Sequence, residues 1–273
     1  MMASVNRESY AAAAEKLTAA TQQATAAQLA TTADEFLSVA RLLRGEPRLR
    51  RALTDPSRSG GDRAELVRSI LAGKLGDTTV DTLATLVSGR FSRPSELLDA
   101  SERLGVDTVL SSADKAGTLA EVEDELFRFG QIVSGNAELA VTLSDPSAPA
   151  EQRVKLAQDL LKGKAQAATI QLIAVALEGF GGRSFESSLS RLVELTAAKR
   201  DREVAYVTVA KLLGEAEEQA LAAKLSDIYG RQVSLKVDVD PSIVGGVSVR
   251  VGSDLYDGTI LRRLNEARQA FAK

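Results

Sequence analysis

A long internal repeat is the feature that most constrains how this chain of 273 residues can fold. The segment ADEFLSVARLLRGEPRLRRALTDPS begins at Ala33, and EDELFRFGQIVSGNAELAVTLSDPS begins 90 positions later, at Glu123. Without a gap, 18 of the 63 positions from Asp34 to Glu96 are identical in the second copy, where this composition would give about 5 by chance. Such a repeat predicts that both copies form the same unit of packed secondary structure.

Each copy has the apolar spacing of a helical bundle. One predicted helix face of the first copy carries apolar residues at positions i, i+3, i+4 and i+7, and the second copy keeps that face. These residues are Phe36, Val39, Ala40 and Leu43. Two further helices are predicted at about 62–72 and 78–88.

Proline and glycine stand between the periodic segments of each copy. A proline follows Asp55 and Asp145, and because proline disfavours helix in the residue before it, both positions predict a break. Gly73 and Gly163 stand where a helix C-terminus is expected. Each copy is therefore predicted to form a bundle of about five or six helices. The segment between the copies is itself helical in pattern, so we expect a stiff connection.

The pattern changes after about Glu203. VAYVTVA alternates and is rich in β-branched residues, which predicts a strand, and GEAEEQALAAKLSDIYG returns to helical spacing. QVSLKVDV and VSVRV predict two more strands, and TILRRLNEARQAF predicts a closing helix. The sequence thus predicts a mainly α fold with two tandem helical bundles, at 1–104 and 105–202. A small α/β domain of order β-α-β-β-α follows at 203–273.

The glycines of DPSIVGGVSVRVGSDLYDG could belong to a phosphate-binding loop or to turns between strands. A phosphate loop runs directly into a helix N-terminus, where free N–H groups and the helix dipole meet the anion. Gly245 and Gly246 lead instead into VSVRV, which is a predicted strand. We therefore interpret them as turn residues at positive φ, with a second turn at about 252–254.

The composition excludes several classes of function. Cys and His are both absent, so a disulfide framework, a Cys/His zinc site, a cysteine nucleophile and a Ser-His-Asp triad are impossible. The formal net charge of −3, in mixed order, gives no electrostatic footprint for nucleic acid. The N-terminus lacks a signal-peptide core and TIQLIAVAL is too short to span a bilayer, so we expect a soluble protein without membrane insertion. No cofactor is expected.

The acidic run EVEDELF raises the question of a metal site. Glu121 and Glu125 share a helix face, but hard cations prefer six or more oxygens, usually from a loop with a glycine turn. We therefore expect an exposed helix face and no metal. Asp34 and Glu35 stand at the repeat positions of Asp124 and Glu125, which indicates a shared structural or contact role.

The C-terminal segment resembles the signature of the delta subunit family of F-type ATP synthase, to which the mitochondrial oligomycin-sensitivity-conferring protein is related. The matching residues are Val239-Asp240-Pro241, Gly245-Gly246, Val249-Arg250-Val251-Gly252 and Asp257-Gly258. Thr259 stands where the family usually has serine, and both hydroxyls start helices well. The segment 105–200 resembles the family's helical N-terminal domain through LFRFGQIVSGNAELAVTLSD. The usual member has one such bundle, so the first copy resembles an added duplicate.

The resemblance implies a non-catalytic stator subunit on the cytoplasmic face of the cell membrane. Such a subunit links the top of the catalytic head, through the N-terminal helices of the alpha subunits, to the b subunits of the peripheral stalk. The C-terminal domain would carry the stalk contact through its signature residues Asp240, Pro241, Gly245, Gly246, Gly252, Asp257 and Gly258. Two alternatives stay open: a free-standing helical-repeat adaptor, and, against the lack of His and Cys, an enzyme that works with carboxylates and lysine.

A groove for the alpha-subunit helix needs apolar side chains that the bundle does not use for its own core. TIQLIAVAL in the second copy is the candidate, with Ile170, Leu172, Ile173, Val175 and Leu177 spread over nearly every face. The alternative is a helix buried on all sides within its own bundle.

Overall fold

The computed structural model describes residues 4–200, 202–229, 232–243, 245–251 and 254–258. The chain divides into two compact units, 1–189 and 190–273, which are described separately below.

The first unit is helical throughout its regular structure. Its helices are α1 (Ser4–Thr21), α2 (Ala26–Gly45), α3 (Pro47–Leu53), α4 (Gly60–Leu71), α5 (Asp77–Ser88), α6 (Ser95–Lys115), α7 (Leu119–Ser134), α8 (Ala137–Ser144), α9 (Ala150–Leu161) and α10 (Ala167–Leu177), followed by a 3-10 turn (Phe180–Gly182) and by α11 (Phe185–Lys199), which crosses into the second unit. Gly73 and Gly163 follow α4 and α9 at φ 74° and 71°, which confirms both as helix-ending glycines.

The repeat is visible helix by helix, and one helix belongs to both copies. Helices α2 to α5 recur as α7 to α10 at the 90-residue offset. By the same offset, α6 corresponds both to α1 and to α11, so it ends the first copy and begins the second. The sequence-based division between residues 104 and 105 falls in the middle of this helix. The two copies therefore share α6.

Packing around α6 explains how one helix serves two bundles. Along its first half, Leu97, Ala100 and Leu104 are buried in the core of the first copy, where Phe36 and Leu43 of α2 also lie. Along its second half, side chains from Val106 to Ala113 are buried as well. At the midpoint, a Cβ on Gly105 would lie 2.6 Å from Cδ2 of Leu37, so glycine allows α2 to approach closely.

The second acid of the repeated pair, Glu35 in one copy and Glu125 in the other, has a shared structural role. The carboxylate of Glu35 accepts hydrogen bonds from the Gly76 N–H, at 2.9 Å, and from the Thr79 hydroxyl, which ties α2 to the start of α5. Glu125 does the same for α10, through the Gln166 N–H at 2.9 Å and the Thr169 hydroxyl at 2.5 Å. Glu35 of α2 thus stabilises the N-terminus of α5, and Glu125 of α7 stabilises the N-terminus of α10.

The expectation of an exposed face for the EVEDELF run was wrong for two residues. Glu123 is fully buried and Glu125 is half-buried, whereas Glu121 and Asp124 are exposed. Sequence spacing missed this because Glu123 lies beside Val122 and Leu126, both of which are also fully buried. Among the residues that the structure describes, no group of acidic side chains could hold a metal ion.

The second unit contains a mixed four-stranded sheet and one described helix of its own. Its elements are β1 (Arg202–Val209), α12 (Glu215–Tyr229), β2 (Gln232–Val239), β3 (Val247–Val251) and β4 (Asp254–Asp257), with strand order β2-β1-β3-β4. β1 pairs in parallel with β2, and the other neighbours are antiparallel. The mainly α class with a C-terminal α/β unit is confirmed. The prediction missed β4, and its closing helix lies outside the described residues.

The turns of this unit use the signature residues. Gly245 and Gly246 have φ of 154° and 85°, as the turn interpretation predicts, and Gly258 donates its N–H to the Val247 carbonyl at 2.9 Å. Gly252 lies outside the described residues, and Asp257 pairs with Ser248 at the end of β4.

One type of turn occurs in both copies and in the second unit. Asp240 accepts a hydrogen bond from the Ser242 N–H at 2.9 Å, with Pro241 between them. The same Asp-Pro-Ser turn closes at Asp55 and Asp145, each of which accepts from the serine two positions later. In all three, the serine hydroxyl and N–H hold the pKa of the aspartate below its usual value.

Candidate docking surface between the helical copies

A cleft of about 460 Å³ lies where the first copy faces the second. Its walls are α2 on one side and α10 on the other, with α6 and the end of α9 between them. Most lining residues are small or apolar. Two of the others, Asp34 and Arg41, are charged, and the remaining polar residues are uncharged. The lining residues are Ala30, Asp34, Leu37, Arg41, Val109, Ser112, Gln158, Ala167, Ala168, Ile170, Gln171 and Ala174.

The residues predicted for a groove on α10 divide between this cleft and the core. Ile170 is half-buried and lines the cleft. Leu172, Ile173, Val175 and Leu177 are buried, at 0 to 3% exposure. Their burial corresponds to the alternative left open above, a helix enclosed by its own bundle.

The face of α10 that reaches the cleft is made mostly of small residues. Ala167, Ile170 and Ala174 follow one another at i, i+3 and i+7, and of these only Ile170 belongs to the groove predicted from the sequence. The opposite wall, Ala30 and Leu37 of α2, comes from the first copy. The i, i+7 spacing was visible in the sequence, but the pairing of α2 with α10 was not.

A hydrogen bond joins the two walls at the rim of the cleft. Nε2 of Gln171 donates to Oδ1 of Asp34 at 2.5 Å, so α10 and α2 are tied across the gap. Asp34 is exposed and Gln171 is half-buried. This contact ties the two walls together. Of the apolar lining, Ala167 is exposed and Ile170 is half-buried, whereas Leu37, Val109 and Ala174 are buried.

An ion-pair junction joins the copies near the C-terminal end of α2. Arg44 on α2 lies 2.8 Å from Oε2 of Glu178, which follows α10, and also contacts the carboxylate of Glu102 on α6. The second carboxylate oxygen of Glu102 accepts from the Gly181 N–H at 3.0 Å. The exposed Arg41 adds a longer contact to Glu178, at 3.5 Å.

Burial dominates the electrostatics of this junction. Desolvation raises the pKa of Glu102 from 4.5 to about 7, against the opposing effects of the Gly181 N–H and the charge of Arg44. The nearby carboxyls of Asp99 and Glu178 act in the same direction as burial. The junction thus keeps the Glu102 carboxyl of α6 in an environment that disfavours its charge. Arg44 of α2 is the cation that stabilises the charged form.

The second unit presents its own exposed apolar side chains. Leu212, Ile228 and Leu255 are 64 to 78% exposed, and Tyr256 is also exposed. The hydroxyls of Tyr229 and Tyr256 lie 3.3 Å apart, which brings the end of α12 next to β4. Leu255 and Tyr256 are neighbours in β4, so their exposed side chains lie on opposite faces of the sheet.

These features define a helical scaffold whose surfaces suit protein segments. A concave apolar cleft flanked by polar side chains is the kind of surface that binds an amphipathic helix. Among the residues that the structure describes, no helix is long and apolar enough to cross a membrane.

Comparison with known proteins places the scaffold in a family. The sequence model of the ATP synthase delta (OSCP) subunit family matches residues 107–271. ATP synthase subunit delta of Salinispora arenicola is 63% identical over 273 residues, 100% of both chains, and that of Streptomyces griseus is 44% identical over 271 residues, 99% of this chain and 100% of the other. A chain in the cryo-EM structure of the Toxoplasma gondii mitochondrial ATP synthase hexamer has 18% identity and a TM-score of 0.38, covering 62% of this chain and 95% of its own.

This chain belongs to the ATP synthase delta (OSCP) subunit family. The family match begins inside α6, the first helix of the second copy, and leaves the first copy unmatched. The Salinispora and Streptomyces relatives match along the first copy as well. The sequence of the first copy is therefore shared with those relatives, while the family model matches only from residue 107 onward.

Proposed function

We propose that this chain is a non-catalytic stator subunit of an F-type ATP synthase. It links the catalytic head to the peripheral stalk and resists the torque of the rotor, from a peripheral position on the cytoplasmic face of the cell membrane. The observation that carries the proposal is the cleft between α2, α6 and α10, found in a chain that matches ATP synthase delta subunits over its full length.

The cleft takes the N-terminal helix of an alpha subunit. The exposed Ala167 lets a second helix backbone approach, and the half-buried Ile170 contacts its apolar side chains, while the buried Leu37 and Ala174 form the floor of the cleft. The polar rim at Asp34 and Arg41 orients the polar face of that helix. Of the groove residues proposed from the sequence, Ile170 makes this contact directly, and the four buried residues support it from the core of the bundle.

The second unit takes the b subunits of the stalk. Its exposed side chains Ile228, Leu255 and Tyr256 lie on α12 and β4, and the signature turns at Asp240 and Gly246 join β2 to β3, the strand that pairs with β4. The signature residues thus act by shaping the unit, and the contact is made by the apolar side chains beside them.

Titration calorimetry with the full chain and a synthetic peptide from the alpha-subunit N-terminus tests the docking step. Ala167→Trp fills the cleft from an exposed wall position and should weaken binding at least about tenfold. Ala27→Trp, at an exposed position on α2 outside the cleft lining, is the matched control and should leave binding unchanged. Equal binding by both variants would refute docking in the cleft. Absence of the full chain from purified ATP synthase would favour the free-standing adaptor.

A further inference from the structure

The two copies differ most in charge at one end of the bundle. Arg48, Arg50 and Arg51 of α3 stand at the repeat positions of Glu138, Ala140 and Val141 in α8. The second copy is therefore acidic and apolar where the first copy is basic. A duplicated surface that has changed its charge in this way is suited to a different partner.

A second cleft, of about 400 Å³, opens at this basic end. It lies between the end of α3, the Asp-Pro turn after it and the segment that leads into α6. Two arginines stand in a wall that also contains an aromatic ring and two prolines. The lining residues are Arg51, Ala52, Thr54, Asp55, Pro56, Phe91, Ser92, Arg93 and Pro94.

The positive charges of this cleft are incompletely neutralised. Within the described part of the chain, the guanidinium of Arg51 has no hydrogen-bond or ion-pair partner, and Arg48 stands one helical turn away on the same exposed face. Arg93 is 75% exposed, with Nε 3.6 Å from Glu96. Although the Glu96 side chain is buried, Arg93 itself is mostly in water, which screens this long contact and leaves the guanidinium accessible to a partner.

The carboxylate of Glu96 is already engaged within the wall. Its Oε2 accepts a hydrogen bond from the Ser92 N–H at 2.9 Å. Asp55 is likewise held by its own turn, where it accepts from the Ser57 hydroxyl at 2.7 Å. Both acids therefore shape the cleft, and positive charge is in excess at its mouth.

The wall of the cleft is fixed by a buried arginine. Arg63 donates from Nη1 to the carbonyls of Asp55, at 3.0 Å, and Arg58, at 2.6 Å. Its other nitrogens donate to the carbonyls of Val87, Ser88 and Gly89 at the end of α5. Since Arg63 joins the Asp-Pro turn to the end of α5, the basic cleft is preformed.

From this geometry we infer that the first copy docks an acidic segment of a partner protein in the basic cleft. Arg51 and Arg93 form bidentate ion pairs with its carboxylates. An apolar side chain next to those carboxylates contacts Phe91, Pro56 and Pro94. Arg48 and Arg51 lie one turn apart, which fits Asp or Glu at i and i+3 or i+4 of a partner helix. The concave shape, with carboxyls in its walls, disfavours a flat anionic lipid surface.

Site-specific photo-cross-linking identifies the occupant. Because the chain contains no cysteine, Ala52→Cys places a single benzophenone maleimide in the cleft lining. Thr142→Cys, at the matching repeat position in the second copy, is the control. The cross-linked complex is isolated through a tag on this chain and sequenced by mass spectrometry, so the result does not depend on the stator proposal.

The inference predicts that Ala52→Cys labels a protein segment rich in Asp and Glu, and that Thr142→Cys does not label that segment. Combining Ala52→Cys with Arg51→Glu and Arg93→Glu should lower the yield at least about fivefold, whereas Arg51→Lys, which keeps the charge but loses the bidentate contact, should lower it less. An unchanged thermal midpoint shows that the charge-reversed variant is folded. Labelling of lipid or nucleic acid, labelling of a neutral or basic segment, no labelling at all, or a yield insensitive to charge reversal would each overturn the inference.

Discussion

The guanidinium of Arg44 lies 2.8 Å from the carboxylate of Glu178, a residue 134 positions further along the chain, and so joins the two helical copies. The same guanidinium contacts Glu102 on the shared helix α6. One arginine thus balances two carboxylates at the point where both copies meet. Through this junction and α6, the copies form one body, which fits a part that must transmit force without bending.

Removing this arginine should destabilise the helical unit strongly. Arg44→Ala leaves the buried Glu102 without its cation and Glu178 with only the longer contact to Arg41, and we expect a loss of about 3 kcal/mol in the free energy of unfolding at pH 8. Urea unfolding followed by circular dichroism measures it. Arg41→Ala is the control, because Arg41 is exposed and 3.5 Å from Glu178, and it should cost under about 1 kcal/mol. Equal losses in the two variants would contradict the role given to Arg44.

The stability of the junction should depend on pH through Glu102. Its pKa is raised in the folded protein to about 7 from 4.5, so the folded protein retains a proton that the unfolded chain has already lost. This contribution is fully present below about pH 4.5 and disappears as pH rises through 7, with a total of about 3 kcal/mol. Relative to the wild type, Glu102→Gln should gain stability between pH 5 and pH 8. A constant difference between the two proteins across that range would rule this out.

The close approach of α2 to α6 should make Gly105 sensitive to the smallest substitution. Gly105→Ala places a Cβ 2.6 Å from the Leu37 side chain, and we expect the clash to cost about 1–3 kcal/mol, more than the helix gains from alanine. Gly45→Ala, at the end of α2 with nothing within 4 Å, is the matched control and should be neutral or stabilising. The thermal unfolding midpoints of both variants measure the effect. A Gly105→Ala midpoint at or above that of the wild type would contradict the close approach of α2 to α6.

The turn before β3 should reject a β-branched side chain. Gly246 has a φ of 85°, which is costly for other residues, so Gly246→Val should destabilise the second unit by about 1–3 kcal/mol. The substitution lies outside the helical unit, so the unfolding transition of that unit should stay unchanged. Stalk binding and thermal stability that both stay at wild-type values would refute the turn assignment.

The sequence predicted the local structure of this chain better than its long-range contacts. Helical spacing, the Asp-Pro breaks and glycines such as Gly73 depend on neighbours a few positions away, so the repeated bundle and the C-terminal α/β unit could be read directly. The cleft could not, because it forms where α2 of one copy faces α10 of the other. The contact of Gln171 with Asp34 spans 137 positions and follows from no local pattern.

The missed details have similar physical causes. β4 contains four residues and exposes both Leu255 and Tyr256, so it lacks the alternation that indicates a half-buried strand. The large apolar residues of α10, from Leu172 to Leu177, are the predicted lining of the groove. Because they are large and apolar, the bundle buries them in its own core. The surface that remains for a partner is made of the smaller residues Ala167, Ile170 and Ala174.

The measurement that tests the central proposal most directly locates the alpha-subunit helix on the chain. A fluorophore is attached at Ser38→Cys, an exposed position on α2 between the lining residues Leu37 and Arg41, or at Arg128→Cys, the matching exposed position of the second copy. An alpha-subunit N-terminal peptide carrying a quencher is titrated in. Docking between the copies predicts saturable quenching at Ser38→Cys and little at Arg128→Cys. Quenching at Arg128→Cys alone, or at neither position although the peptide binds, would contradict it.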